Sequence, residues 1–406
     1  PRLFRDAGYA CGLSGKLHLS ACHPCTGRSS EPRIDDGYDA FFWSHHPHAM
    51  GQNGNMAANE YTLWLADQGV EYGTPRRTDC RFVEEGMPVA LHQSTWCTDK
   101  ALSFMKAAQR HSKPWLFSVN YFDPHHPFDP PRDLLERYLE RLEDIPLPDY
   151  IPGELADKPD FQTIDHNGAY ATKGLYPYEA MSARDHRMIR AAYWAMCDLL
   201  DIQVGRLLAY LEESGQLENT VVVYMSDHGE HLGDHGMYLK GPCFYECNVR
   251  VPLIIAQPGV IAPNRASPAL VELCDLPQTL LDAANLPAHP GMMGRSLWPM
   301  LTGQTPLTAH RSSVYCEFYN ANVNHTAPKA FGTMVCDGRW KLVRYSDRDN
   351  ELSVCGELYD LAADPGEHEN RYLDPAFAQP KQRMLELLCD RMVQTCDPLP
   401  LRKSFW

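Results

Sequence analysis

Two short apolar runs, "PWLFSVNYF" (114–122) and "TVVVYMS" (220–226), flank one long amphipathic stretch, and that arrangement most narrows the folds open to this chain. From about Ser182 to Ser214, residues Ile189, Ala192, Tyr193, Met196, Leu199, Leu200, Val204, Leu207, Leu208 and Leu211 keep a three-to-four spacing. That period predicts a helix with one buried face. Asn219 opens a turn into the second run, and "VPLIIAQPG" (251–259) supplies a third. Each run is short, apolar and bounded by turn formers or polar residues, so each predicts a buried strand. Shorter helices are expected at 56–68, 95–110, 131–142 and 274–285. Strands alternating with helices indicate an α/β fold, a large mainly parallel or mixed sheet sandwiched by helices.

After about residue 310 the texture changes. "SSVYCEFY", "AFGTMVCDG" and "RWKLVRYS" read as antiparallel strands, with Asp337-Gly338 as a hairpin turn, and a last helix is expected at 377–395. The expected division is therefore a larger α/β domain, 1–310, and a smaller C-terminal α+β subdomain, 311–406. The stretch 144–180 is rich in Pro, Asp, Gly and Tyr without a period and reads as a long loop. Its Tyr150, Tyr170, Tyr176 and Tyr178 could stack on a sugar or aryl group, although surface tyrosines are common.

A chain of 406 residues, 44% hydrophobic, can bury a large core. Its net charge of −15 argues against nucleic acid or an anionic membrane as the main partner. No apolar run approaches the ~20 residues that span a bilayer. Fourteen cysteines are scattered singly, which favours reduced thiols and a cytoplasmic setting. The lone C-x-x-C of Cys22 and Cys25 lacks the second half of a zinc site.

Three polar clusters fall at or near predicted strand ends, where open α/β sheets collect reactive residues. In "SGKLHLS", Lys16 and His18 lie two apart and would share one side of an extended segment. They could bind an anion, or be two surface residues beside a turn. In "FDPHHPFDPP", Pro124 and Pro127 hold His125 and His126 in a stiff turn suited to a positioned acid, or to a structural turn with one exposed imidazole. In "SDHGEHLGDHGMYLKG", Asp227 and His228 fall where the 220–226 run ends. Carboxylate plus imidazole suits a divalent cation. A zinc-binding helix through His228, His231 and His235 is disfavoured by Gly229, Gly233 and Gly236. Asp234-His235-Gly236 reads as a turn returning the chain toward Lys240, a second cation for an anionic substrate.

The order of these segments resembles that of the sulfatases, formylglycine-dependent members of the alkaline phosphatase superfamily. "AGYACGLSGKLHLS" is similar to their "GYxT…GKWHLG" segment and "DPHHPFDPP" to their "PHxPF" segment. "SDHGEHLGDHGMYLKGPCFYECNVRVPLII" resembles their "SDHGexLGdHG…K…fyE…RVPlii" segment. "DLPQTLLDAANLP…GMMGRSLWPMLTG" and "RWKLVRYS…ELYDLAADPGEHEN" follow in the same order. Any one motif is weak; five in order over nearly the whole chain are specific.

The resemblance implies hydrolysis of a small-molecule or carbohydrate sulfate ester. A formylglycine hydrate attacks sulfur, and a divalent metal, usually Ca2+ with Mg2+ or Mn2+ as alternatives, polarises the sulfate. It implies metal-ligand roles for Asp227 and His228, and sulfate-binding roles for Lys16 and Lys240. His18 matches the histidine beside the formylglycine that helps expel sulfate. His125 matches the one that, with Lys240, protonates or stabilises the leaving alkoxide; His126 is the weaker candidate.

One departure matters. The family's N-terminal strand, with an Asp-Asp metal pair, and the C-x-P-S-R segment that yields formylglycine both precede the segment matching Lys16, and only fifteen residues precede Lys16 here. "CHPCTGR" (22–28) has Thr26 where the segment needs another residue and lies after Lys16, while Asp35-Asp36 matches a downstream "GFDxF" segment. The expectation is an N-terminally incomplete sulfatase sequence, inactive alone and less stable than a chain with that strand. The alternatives are a phosphonate monoester or phosphodiester hydrolase of the same superfamily, disfavoured by Lys16-x-His18, or a non-catalytic sulfatase-like binding protein.

Overall fold

The computed structural model describes residues 1–17, 36–45, 59–319, 330–346, 354–397 and 399. His18, Cys22, Cys25 and Asp35 lie outside the described residues. The chain divides into two compact units, Pro1–Leu147 with Ser182–Leu217, and Pro148–Met181 with Glu218–Trp406. Residue 310, where the sequence texture changes, falls inside the second unit.

The first unit holds a parallel three-stranded sheet: β1 (Ala10–Gly15), β2 (Ala40–Trp43) and β3 (Trp115–Asn120), in the order β2-β1-β3. The two glycines of β1 are steric requirements. A Cβ on Gly12 would sit 2.6 Å from the Phe117 ring; one on Gly15, whose φ is +99°, would sit 1.9 Å from the Asn120 carbonyl oxygen. The helix Gln93–Arg110 covers the sheet, burying Trp96, Cys97, Ala101, Met105 and Ala108, and the Ser14 hydroxyl donates to the Cys97 carbonyl at 2.8 Å. The predicted long helix is Ala183–Glu213. Its start is a capping box: the Ser182 hydroxyl accepts from the Asp185 N–H, and the Asp185 carboxylate accepts from the Ser182 N–H at 2.9 Å. Such a cap contributes about 1 kcal/mol. Met188, Ile189, Ala192, Ala195, Met196, Leu199 and Leu200 form its buried face, packed on Gln93–Arg110 and on Arg132–Leu139.

The second unit holds two sheets. β4 (Val222–Met225) and β5 (Leu253–Ala256) form an antiparallel pair. Their sequences read as buried strands, but only one face is covered. Val223, Leu253 and Ile255 pack on Leu276, Leu297 and Met300, whereas Tyr224 and Ile254 are 39% and 61% exposed. A run of β-branched residues does not reveal whether a second layer covers it. The other sheet is antiparallel, β6 (Val314–Tyr319), β7 (Phe331–Cys336), β8 (Trp340–Ser346) and β9 (Gly356–Asp360), in chain order. Asp337-Gly338 makes the β7–β8 turn, with Gly338 at φ +91° and the Trp340 N–H on the Asp337 carboxylate at 2.7 Å.

The helix Ala378–Gln394 packs Met384 and Leu388 on one face of this sheet, against Val335, Leu342 and Leu358. On the other face Met334, Val343, Tyr345 and Tyr359 meet Phe161, Phe244 and Tyr245. Phe161 belongs to a helix, Asp160–Asn167, inside the stretch that reads as a loop. Its buried residues, Phe161, Gln162, Asp165 and His166, are mostly polar, so no apolar period announces it. Buried Gln162 donates to Glu357 at 2.7 Å, and Lys341 is ion-paired with Glu246 at 2.6 Å and Glu367 at 2.7 Å. Among the described residues no helix is long and apolar enough to cross a membrane, and the twelve described cysteines are free thiols.

Candidate active site

In the first unit the strand register delivers Lys16. Gly15 stands beside Asn120, and the Lys16 N–H donates to the Asn120 carbonyl at 2.9 Å while the Asn120 side-chain amide returns a bond to the Lys16 carbonyl at 2.7 Å. The Lys16 ammonium lies 6.0 Å from the centre of the Phe122 ring, and that ring is 4.7 Å from the ring of His125. Two candidates over a hundred residues apart are thus gathered around one aromatic side chain. The His125 Nδ1–H donates to the His126 carbonyl at 2.7 Å, which puts the electron pair of the neutral ring on Nε2.

The loop carrying His125 is anchored from beneath by buried carboxylates. Asp123 accepts from the Ser94 hydroxyl at 2.7 Å, and His92 Nδ1 lies 3.6 Å from it. Burial lowers the pKa of His92, with Asp123 acting in the opposite sense. Burial, reinforced by the charges of Asp123 and Glu84, raises the Asp129 carboxyl well above the carboxylate range. These anchors occupy the two Asp-Pro steps of the motif, a signal visible in the sequence but lacking a known partner.

In the second unit Asp227 and His228 follow directly on β4. The His228 N–H donates to Asp227 Oδ1 at 3.1 Å, and the His228 Nδ1–H to the Gly229 carbonyl at 2.8 Å. The second bond fixes Nε2 as the ring's electron-pair donor, and Nε2 lies 3.7 Å from Asp227 Oδ2. A carboxylate oxygen and an imidazole nitrogen at that separation, on side chains 61% and 30% exposed, fit as two ligands of one divalent cation. They are a partial set, because a hard cation takes about six or more donors.

Asp227, His228 and Lys240 line one cavity of about 2270 Å³ in this unit, together with Arg250, Arg265 and Arg295. The Lys240 ammonium stands 5.9 Å from the centre of the Tyr170 ring. Burial raises the Glu230 carboxyl to about 7, opposed by the Leu232 N–H and by the charge of Lys240. Burial likewise raises the phenol of Tyr170. Tyr150 packs edge-on to Tyr178 at 5.0 Å, and Tyr176 lies 5.6 Å from Tyr238. These tyrosines are thus packed among other aromatic side chains.

The second Asp-His-Gly triplet is a turn, Asp234–Gly236, with no continuous helix through His228, His231 and His235. Its imidazole is buried. His235 Nδ1 bonds Glu154 Oε1 at 3.0 Å, Glu154 Oε2 bonds His368 Nδ1 at 2.6 Å, and His368 Nε2 meets Asp149 Oδ1 at 3.2 Å. Glu154 and His368 escape sequence reasoning because 214 residues separate them and neither lies in a periodic pattern.

The architecture is that of alkaline phosphatase-like hydrolases. The phosphonate monoester hydrolase SpPMH of Silicibacter pomeroyi superposes with a TM-score of 0.76 at 22% identity, over 97% of this chain and 79% of that one. BT4656, solved in complex with D-glucosamine-2-N,6-O-disulfate, superposes with a TM-score of 0.70 at 24% identity, over 100% of this chain and 83% of that one. A family model described as Sulfatase matches residues 1–286, and one described as N-sulphoglucosamine sulphohydrolase, C-terminal, matches residues 233–394. The chain belongs to the sulfatase family, a family of the alkaline phosphatase superfamily. It is similar to the uncharacterized sulfatase YidJ of Escherichia coli, 28% identical over 403 residues, 98% of this chain and 72% of that protein. Family membership supports sulfate ester hydrolysis.

Proposed function

We propose that this polypeptide carries the metal and sulfate positions of a sulfuric ester hydrolase acting on a carbohydrate sulfate ester, with Asp227 and His228 as ligands of a divalent cation, Ca2+ by preference. The observation that carries the reading is the Asp227–His228 pair, pre-set by the His228 Nδ1–Gly229 bond and sharing a cavity with Lys240. A cation bound there would add positive charge beside the sulfate oxygens. Lys16 and Lys240 bind the sulfate and offset the charge that shifts as the ester bond breaks. His125, oriented through Nδ1, gives a proton from Nε2 to the departing alkoxide. His18 assists expulsion of sulfate. The sugar class draws support from BT4656, solved with a disulfated glucosamine, and from the match of residues 233–394 to the N-sulphoglucosamine sulphohydrolase model.

The formylglycine expected of this family corresponds to no residue among these 406, which contain no C-x-P-S-R segment. The chain by itself is therefore expected not to turn over sulfate esters. The test is steady-state kinetics with a sulfate monoester and a phosphodiester of the same phenol, on this chain alone and on a protein carrying the C-x-P-S-R segment ahead of it. Turnover by the chain alone removes the claim that the nucleophile lies outside it. A higher kcat/KM for the phosphodiester replaces the sulfatase reading with the phosphonate or phosphodiester hydrolase.

A further inference from the structure

We propose that Glu154, His235 and His368 form a binding site for one Zn2+ ion, apart from the Asp227–His228 pair. The three ligand atoms lie within 4.8 Å of one another, and the two Glu154 oxygens stand 3.0 Å from His235 Nδ1 and 2.6 Å from His368 Nδ1. Zinc bonds of ~2.0–2.2 Å in tetrahedral geometry place neighbouring ligand atoms roughly 3.3 Å apart, so the carboxylate–imidazole separations would widen by about 0.3–0.7 Å and the more distant ligand atoms would close in. Two imidazoles and one carboxylate form a zinc donor set, and one poor for calcium, which takes six to eight oxygens.

The surroundings are those of a built site. The His368 ring bonds a second carboxylate, Asp149, through Nε2 at 3.2 Å, the outer partner that aims a metal-ligating histidine. Asp149 is itself held, its N–H on the Asp234 carboxylate and its carbonyl taking the His235 N–H, each at 2.8 Å. His235 stacks on Tyr245 with ring centres 3.8 Å apart. The Glu154 and His235 side chains are 2% and 7% exposed, and that of His368 is 15% exposed, so a path to solvent lies on the His368 side. Gly366 permits this approach, because a Cβ there would lie 2.7 Å from His368 Nε2. Without metal, each Nδ1–H donates to one Glu154 oxygen; with metal, the His368 ring, which keeps its Nε2–H on Asp149, releases its Nδ1 proton to solvent, and the His235 ring carries its proton on Nε2 instead, so that both bind through the Nδ1 electron pair.

The experiment uses the chelator-stripped chain, given one equivalent of Zn2+, desalted and assayed for retained zinc, with titration calorimetry for affinity. The chain and its Asp227→Ala variant should each retain about one Zn2+. His368→Gln, shown to be folded by circular dichroism, should bind at least tenfold more weakly, and Asp149→Asn should lose about 10–100-fold in affinity, the range for an outer-shell partner. No retained zinc, or equal retention by folded His368→Gln, overturns the site and leaves a hydrogen-bonded network. Co2+ added to the unaltered chain gives a reading free of folding questions: intense tetrahedral visible bands support the site, and a pale octahedral spectrum overturns it.

Discussion

The triplet Asp-His-Gly occurs at 227–229 and again at 234–236, and the two copies live in opposite environments. Asp227 and His228 stand at the end of β4 with side chains 61% and 30% exposed, the His228 ring bonded to the Gly229 carbonyl and both residues lining a cavity. Asp234 and His235 are tied to residues far away in sequence: half-buried Asp234 accepts from the Asp149 N–H at 2.8 Å, and His235 is buried on Tyr245 and Glu154. Composition is identical and chemistry is not. What separates them is the partner each meets in three dimensions, which for the second copy lies 81 residues upstream.

The sharpest way to break this contrast is to mutate both copies and read activity and stability separately. In a protein that carries the nucleophile segment, Asp227→Ala should lower kcat/KM by about a thousandfold, equivalent to ~4 kcal/mol. The same change should move the unfolding free energy by less than about 0.5 kcal/mol in urea denaturation. A large stability loss there would erase the distinction. The buried copy should behave in reverse. Glu154→Ala strips His235 and His368 of their shared carboxylate and should cost about 3 kcal/mol in the same denaturation measurement.

The closing glycines sharpen the comparison further. Gly236, at φ +69° and with a notional Cβ 2.6 Å from His166 Nδ1, should cost about 1–3 kcal/mol on replacement by Ala. Gly229 has no left-handed φ, yet a Cβ there would lie 1.8 Å from the Cys247 carbonyl oxygen. Gly229→Ala should therefore displace the 229–230 backbone from Cys247 and Asn248, visible as faster amide exchange at Gly229 and Glu230, whose N–H groups donate to those carbonyls at 2.8 and 3.1 Å. The smallest effect belongs to Asp234→Ala, about 1 kcal/mol for one lost hydrogen bond.

What could be read in the sequence follows the range of the interaction concerned. The helix Ala183–Glu213 was readable because its period and its Ser182 cap are local, and the Asp337-Gly338 hairpin because turn chemistry is local. The strand-end clusters were readable from apolar runs giving way to polar residues. The helix Asp160–Asn167 was not, since Gln162 finds Glu357 only 195 residues later. β4 reads as buried because a sequence reports how apolar a strand is and not how many layers cover it. Glu154, His368 and the Asp123–Ser94 anchor were invisible for the same reason as Gln162: a polar residue shows its purpose only beside its partner.

The buried Lys341 bears on how the molecule is made. Its ammonium is held by the Phe244 carbonyl at 3.0 Å and by Glu246 and Glu367, so the segment just past Lys240 is braced by strand β8 and the turn after β9. A chain emerging from a ribosome has residues 227–246 long before residues 341 and 367. The loop bearing Asp227, His228 and Lys240 thus cannot acquire these braces as it is synthesised. Its final form waits on residues about a hundred positions further along, and until then Glu246 has only water and its neighbour Arg250 to offset its charge.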